Sequence, residues 1–91
     1  MKYEGLPFKN ETIKDGVVRT FSESIDDHEL KWHVDEEDRI VKSLHETNWM
    51  IQLDNELPIL LEKGKEIFIP KGLYHRVIKG NGDLKVSIKF I

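Results

Sequence analysis

Short runs of alternating apolar and polar residues follow one another along this 91-residue chain, broken by turn signals roughly every 8–12 residues. Leu84, Val86, Ile88 and Phe90 alternate with Lys85, Ser87 and Lys89. Leu30, Trp32 and Val34 alternate with Lys31, His33 and Asp35. Further short runs occupy 17–21, 39–45, 49–53, 58–61, 67–69 and 74–78. Asp15-Gly16, Asp54-Asn55-Glu56, Pro70 with Gly72, and Gly80-Asn81-Gly82-Asp83 punctuate them. A period of two puts every second side chain on one face of a strand. No segment carries the three-to-four spacing of an amphipathic helix; residues 22–29 have room for one turn, with Ser22 or Ser24 as its cap. Leu6 and Phe8 can open an edge strand. The expected fold class is all-β, a sandwich or small barrel with under about 15% helix.

Size and charge narrow the function. Ninety-one residues predict a single domain over 1–91. A composition of 38% hydrophobic and 34% charged residues is that of a folded chain. The net charge of −3 argues against a broad basic face, so nucleic acid is not an expected partner. The absence of cysteine removes disulfides, thiolate metal sites and cysteine nucleophiles, and fits a cytoplasmic location. No apolar run approaches the roughly 18 residues of a membrane span, and the N-terminal ten residues lack a signal-peptide core.

The segment Gly64-Lys-Glu-Ile-Phe-Ile-Pro70-Lys-Gly72-Leu-Tyr-His75 is the most specific motif. Gly64 turns the chain into a strand, Pro70 ends it, Gly72 permits a tight reversal, and His75 starts the returning strand. It resembles the second motif of the cupin superfamily. The first cupin motif, two histidines separated by one residue and then a glutamate, has a degenerate counterpart in Trp32-His33-Val34-Asp35-Glu36-Glu37-Asp38-Arg39. His33 matches the first histidine, Asp35 replaces the second, and Arg39 stands at a glutamate position. Residues 28–91 resemble small cupin-like proteins found in bacteriophage genomes, which implies host cytoplasm as the location. The resemblance implies a single cupin-type double-stranded β-helix, or jelly-roll barrel, with His33, Asp35 and His75 facing its interior.

Two histidines and a carboxylate form the facial set that binds non-haem iron and leaves positions open. His33, Asp35 and His75 are therefore candidate ligands for one divalent transition metal: iron, manganese, nickel or zinc. Two readings of His33 and Asp35 stand. If Leu30, Trp32 and Val34 are covered by a partner or an N-terminal strand, the polar side faces the cavity; otherwise it faces water. Arg39 favours a metal-free use, pairing with Asp35 or Asp38 or capturing an anion with help from Arg76 or Lys79. Gln52, Trp49 and Tyr74 complete the candidate ligand-binding residues. His28 and His45 match no motif position and are expected at the surface. The expected function is a small-molecule-binding module with a polar pocket, for an anionic ligand; the alternative is a metal-dependent dioxygenase- or isomerase-like cupin enzyme. A homodimer is expected, because the Leu30/Trp32/Val34 and Leu84/Val86/Ile88/Phe90 faces compete for cover.

Overall fold

The computed structural model describes residues 8–24 and 30–91, with only the backbone of Phe8 and Lys9. Eight strands appear in chain order: β1 (Phe8–Ile13), β2 (Gly16–Phe21), β3 (Arg39–Ser43), β4 (Met50–Leu53), β5 (Ile59–Leu60), β6 (Glu66–Ile69), β7 (His75–Ile78) and β8 (Leu84–Phe90). Among the described residues there is no helix, and none that is long and apolar enough to cross a membrane. Glu23 and Ser24 lie in a turn and not in a helix, the Ser24 N–H donating to Ser22 Oγ; Leu6, His28 and the rest of the expected helical turn lie outside the described residues.

The strands form two antiparallel sheets, one ordered β1-β2-β8-β3-β6 and one ordered β5-β4-β7. Neither sheet closes on itself, so the expected closed barrel is an open two-sheet jelly-roll arrangement. The edge strand β5 has two residues, and among the described residues the bridges outside the named strands are His33–His75 and Ser43–Lys63.

Register decides what faces inward. Val17 pairs with Ile88, Arg19 with Val86 and Phe21 with Leu84. Val41 also pairs with Ile88, and with Ile67 on its other side. The apolar side chains of this face meet Ile51 and Leu53 of β4, and Trp49 just before it, in a single core. Leu84, Val86 and Ile88 are thus covered by the chain itself. These three do not need a partner's surface, whereas Trp32, Val34 and Phe90, on the two faces expected to compete for cover, are 42%, 43% and 37% exposed.

The segment before β3 departs from its expected strand. Of residues 30–35 only His33 is bridged, to His75. Leu30 is buried, whereas Trp32 and Val34 are 42% and 43% exposed. One bridge does not hold a segment to a strand's two-residue repeat, so alternating residues do not become alternating burial.

Candidate functional site

The turn after β6 is the organising device. The Leu73 N–H donates to the Pro70 carbonyl at 3.2 Å, and Gly72 between them has φ +80°. A residue with a Cβ is strained at that φ, which is why glycine stands there. The same turn grips the loop that carries His33 and Asp35. The Gly72 N–H donates to the Asp35 carbonyl at 3.0 Å, and the Lys71 N–H to Asp38 Oδ1 at 2.7 Å. At the other end, His33 and His75 exchange both backbone hydrogen bonds at 3.0 Å. A motif and a loop far apart in sequence are thereby fixed against each other.

This framework brings His33, Asp35 and His75 together, with one ligand atom from each lying within 4.8 Å of the others. The imidazole rings are 4.3 Å apart between centroids and tilted by 57°. His33 Nδ1 lies 2.8 Å from the Lys31 carbonyl, and His75 Nδ1 lies 2.9 Å from the Leu73 carbonyl. A carbonyl only accepts, so each Nδ1 carries the proton, and in the neutral ring each Nε2 presents a lone pair. Burial holds the His75 pKa below its usual value; the Leu73 carbonyl opposes this, His33 adds to it, Asp35 opposes it and Arg39 adds to it. His75 Nε2 lies 3.1 Å from Asp35 Oδ2, yet Oδ2 is buried with no hydrogen-bond partner.

Arg39 reaches Asp35 Oδ1 at 3.4 Å and Glu37 Oε1 at 3.2 Å, both through Nη2. Its guanidinium also lies 5.2 Å from the centre of the Phe90 ring. Beside these groups a cavity of about 260 Å³ opens into the core. His33, Asp35, His75 and Arg39 line one part of it, and hydrocarbon side chains such as Leu61, Ile69 and Ile88 line most of the rest.

The remaining candidate ligand-binding residues are not in this cavity. Trp49 is fully buried, packs 5.9 Å from Phe21 and donates Nε1–H to the Gly82 carbonyl at 2.9 Å, so it is a core residue. Gln52 falls between the inward Ile51 and Leu53 and therefore points outward. Its Oε1 accepts from Arg76 Nε at 3.0 Å and Nη2 at 2.9 Å, and Arg76 lies over the Trp32 ring at 5.0 Å. Arg76 alternates with the inward His75 and Val77 and shares that outer face. Tyr74 is 54% exposed. His45 is half-buried, not free at the surface: its Nε2 accepts the Lys85 N–H at 2.9 Å. Arg19 is a cavity residue that neither motif marks. Its signal is parity, since Val17, Arg19 and Phe21 share one face of β2.

The sequence matches no family model and no curated protein. The fold has close counterparts among solved structures. A cupin 2 conserved barrel domain protein from Leptotrichia buccalis superposes with a TM-score of 0.69 at 20% identity, over 92% of this chain and 39% of that one. A chain from the crystal structures of the DMSP lyases RdDddP and RnDddQII gives 0.69 at 16% identity, over 81% and 36%. The crystal structure of FeII HppE gives 0.68 at 14%, over 92% and 50%. The chain thus spans half or less of these three structures. The shared architecture is the cupin fold.

Proposed function

We propose that this protein is a metal-dependent cupin enzyme in which His33, Asp35 and His75 hold one divalent transition metal beside a substrate cavity. The observation that carries this reading is the convergence of acceptors. Both Nδ1 protons are committed to backbone carbonyls, leaving two Nε2 lone pairs and a buried carboxylate oxygen facing one another with no hydrogen bond between His75 and Asp35. Such a set is stabilised by a cation placed among its members. The FeII of the HppE structures, which share this fold, supports the same assignment.

The donor set fits an ion of the iron, manganese, nickel or zinc kind: nitrogen and oxygen ligands, no thiolate, and coordination positions left for other groups. When bound, the ion supplies a Lewis acid and, if redox-active, an electron relay. The chain's own residues do the rest. The carbonyls of Lys31 and Leu73 aim the imidazoles. Arg39 Nη2 draws Asp35 Oδ1 aside and leaves Oδ2 turned toward His75. The hydrocarbon wall lowers the local polarity on the core side of the cavity and strengthens charge interactions there, while His33 stands at the exposed side.

Metal content of protein purified without chelator tests the reading, together with calorimetric titration of nickel into the metal-free form. The expected result is one site per chain that is lost in His75→Ala. The Arg39–Asp35 pair favours a second reading, a metal-free binding module in which Arg39 neutralises Asp35. Substoichiometric metal in fresh protein, with no saturable nickel binding, would select it.

A further inference from the structure

The cavity beside the His33–Asp35–His75 cluster is built mainly from core side chains. Ten of its sixteen lining residues are hydrocarbon, and they come from both sheets. Phe21 of β2, Ile51 of β4, Ile69 of β6, and Val86 and Ile88 of β8 are each at most 6% exposed, so this wall is packed and already formed. Lys31 and His33 are the exposed members of the lining. The mouth therefore lies at the cluster, and the hydrocarbon end is the inner one.

The charged groups of the lining are engaged by the protein itself. Arg39 pairs through Nη2 with Asp35 at 3.4 Å and Glu37 at 3.2 Å, and Arg19 Nε donates to Asn10 Oδ1 at 2.7 Å. Burial lowers the Arg19 pKa to about 10; Arg39 adds to this, and Asp35 and Glu37 oppose it. Charge is thus disfavoured in this space before any ligand enters. What the cavity offers a ligand is shape and hydrocarbon. An apolar cavity of about 150 Å³ stays dry and binds benzene, and drug-sized ligands occupy roughly 300–1,000 Å³. At about 260 Å³ this one lies between them.

We propose that the substrate is a small uncharged molecule with a hydrocarbon body, an aromatic ring or a short branched chain, seated against the wall of Phe21, Ile51, Ile69, Val86 and Ile88. This names the substrate class of the metal site above and rests on that reading for its chemistry; the seat itself is built without the ion. Burial of the apolar body supplies the binding. A carboxylate or ammonium on the same body would have to give up its hydration and compete for groups that are already paired.

The test is calorimetric titration of benzyl alcohol, benzoate and benzylamine, which share one ring and differ in charge, into nickel-loaded and chelator-treated protein. Benzyl alcohol is expected to bind one site per chain in both forms. Benzoate and benzylamine are expected to bind the chelator-treated protein at least tenfold more weakly. Val86→Phe fills the cavity from β8 and should weaken benzyl alcohol at least tenfold. Val86→Leu fills less, serves if Val86→Phe does not fold, and should weaken it at least threefold. Nickel bound at one site per chain with no benzyl alcohol binding to either form would overturn the proposal and leave the metal reading standing. Benzoate or benzylamine binding the chelator-treated protein as tightly as benzyl alcohol would overturn it too. So would benzyl alcohol binding undiminished in both variants, because the ligand would then sit elsewhere. Benzyl alcohol bound, and lost in the Val86 variants, while nickel fails to bind would support the apolar seat and overturn the metal reading.

Discussion

His75 Nε2 and Asp35 Oδ2 stand 3.1 Å apart and share no hydrogen bond. Other buried ring nitrogens at similar distances are bonded: Trp49 Nε1 donates to the Gly82 carbonyl, and His75 Nδ1 to the Leu73 carbonyl. A neutral imidazole that has spent its proton on Nδ1 meets a carboxylate lone pair to lone pair. This contact is why the cluster is read as an ion site and not as a histidine–aspartate hydrogen bond.

Asp35→Asn tests the carboxylate's part. It keeps the shape and removes the charge, so nickel affinity should fall at least hundredfold, about 2.7 kcal/mol. Titration of metal-free protein measures it. Unchanged affinity would exclude Asp35 as a ligand.

Arg39→Met tests the ion pair. The Asp35 carboxylate is 11% exposed and would lose its guanidinium partner. Breaking a buried pair from one side costs about 3–5 kcal/mol; the partial exposure and the long 3.4 Å contact reduce the expectation to about 2 kcal/mol of urea-unfolding stability. Saturating nickel should restore most of that loss, because the ion binds only the folded form. A loss that nickel leaves untouched would mean that Asp35 does not face the ion.

Metal-free protein should lose stability as pH falls. The His75 pKa is lowered in the folded state, chiefly by burial, with Leu73, His33, Asp35 and Arg39 as the groups acting on it. The unfolded chain therefore binds the proton first, near the ordinary histidine value of about 6.5. The contribution is fully present above that value and is lost as pH falls toward the folded-state pKa. The slope from this one group is at most about 1.4 kcal/mol per pH unit. Urea unfolding between pH 5 and 8 of wild type and His75→Gln reads it, and the difference in slope between them should change in that window.

Trp49→Phe should cost about 2 kcal/mol, from the lost hydrogen bond to Gly82 and the smaller ring in a packed core. Gln52→Ala, on the outer face, should cost under about 1 kcal/mol. Both should leave nickel affinity within twofold of wild type, since neither lines the cavity. A tenfold change in either variant would return that residue to the site.

Local order is legible in the residues themselves. Seven short runs coincide with strands β2 to β8, and Phe8 opens β1. The spacing of Gly64, Pro70, Gly72 and His75 marks the strand, turn and returning strand found there, with Gly64 and Gly72 both at positive φ. His33, Asp35 and His75 stand out because their residue types and motif positions are local properties.

Sides and contacts are not legible in the same way. Arg19, Gln52 and Arg76 are all polar residues within apolar strands, yet only Arg19 faces the cavity. Strand geometry determines that Arg19 accompanies Val17 and Phe21, but that this face is the inner one depends on its pairing with Val86 in β8. The alternation around Trp32 and Val34 is strict and still produces no strand, because only His33 forms a β-bridge there. Period and turn chemistry act over a few bonds and belong to the sequence. Which face is buried, and which buried acceptors meet, is decided by pairing between segments far apart in the chain, and only the folded structure supplies it.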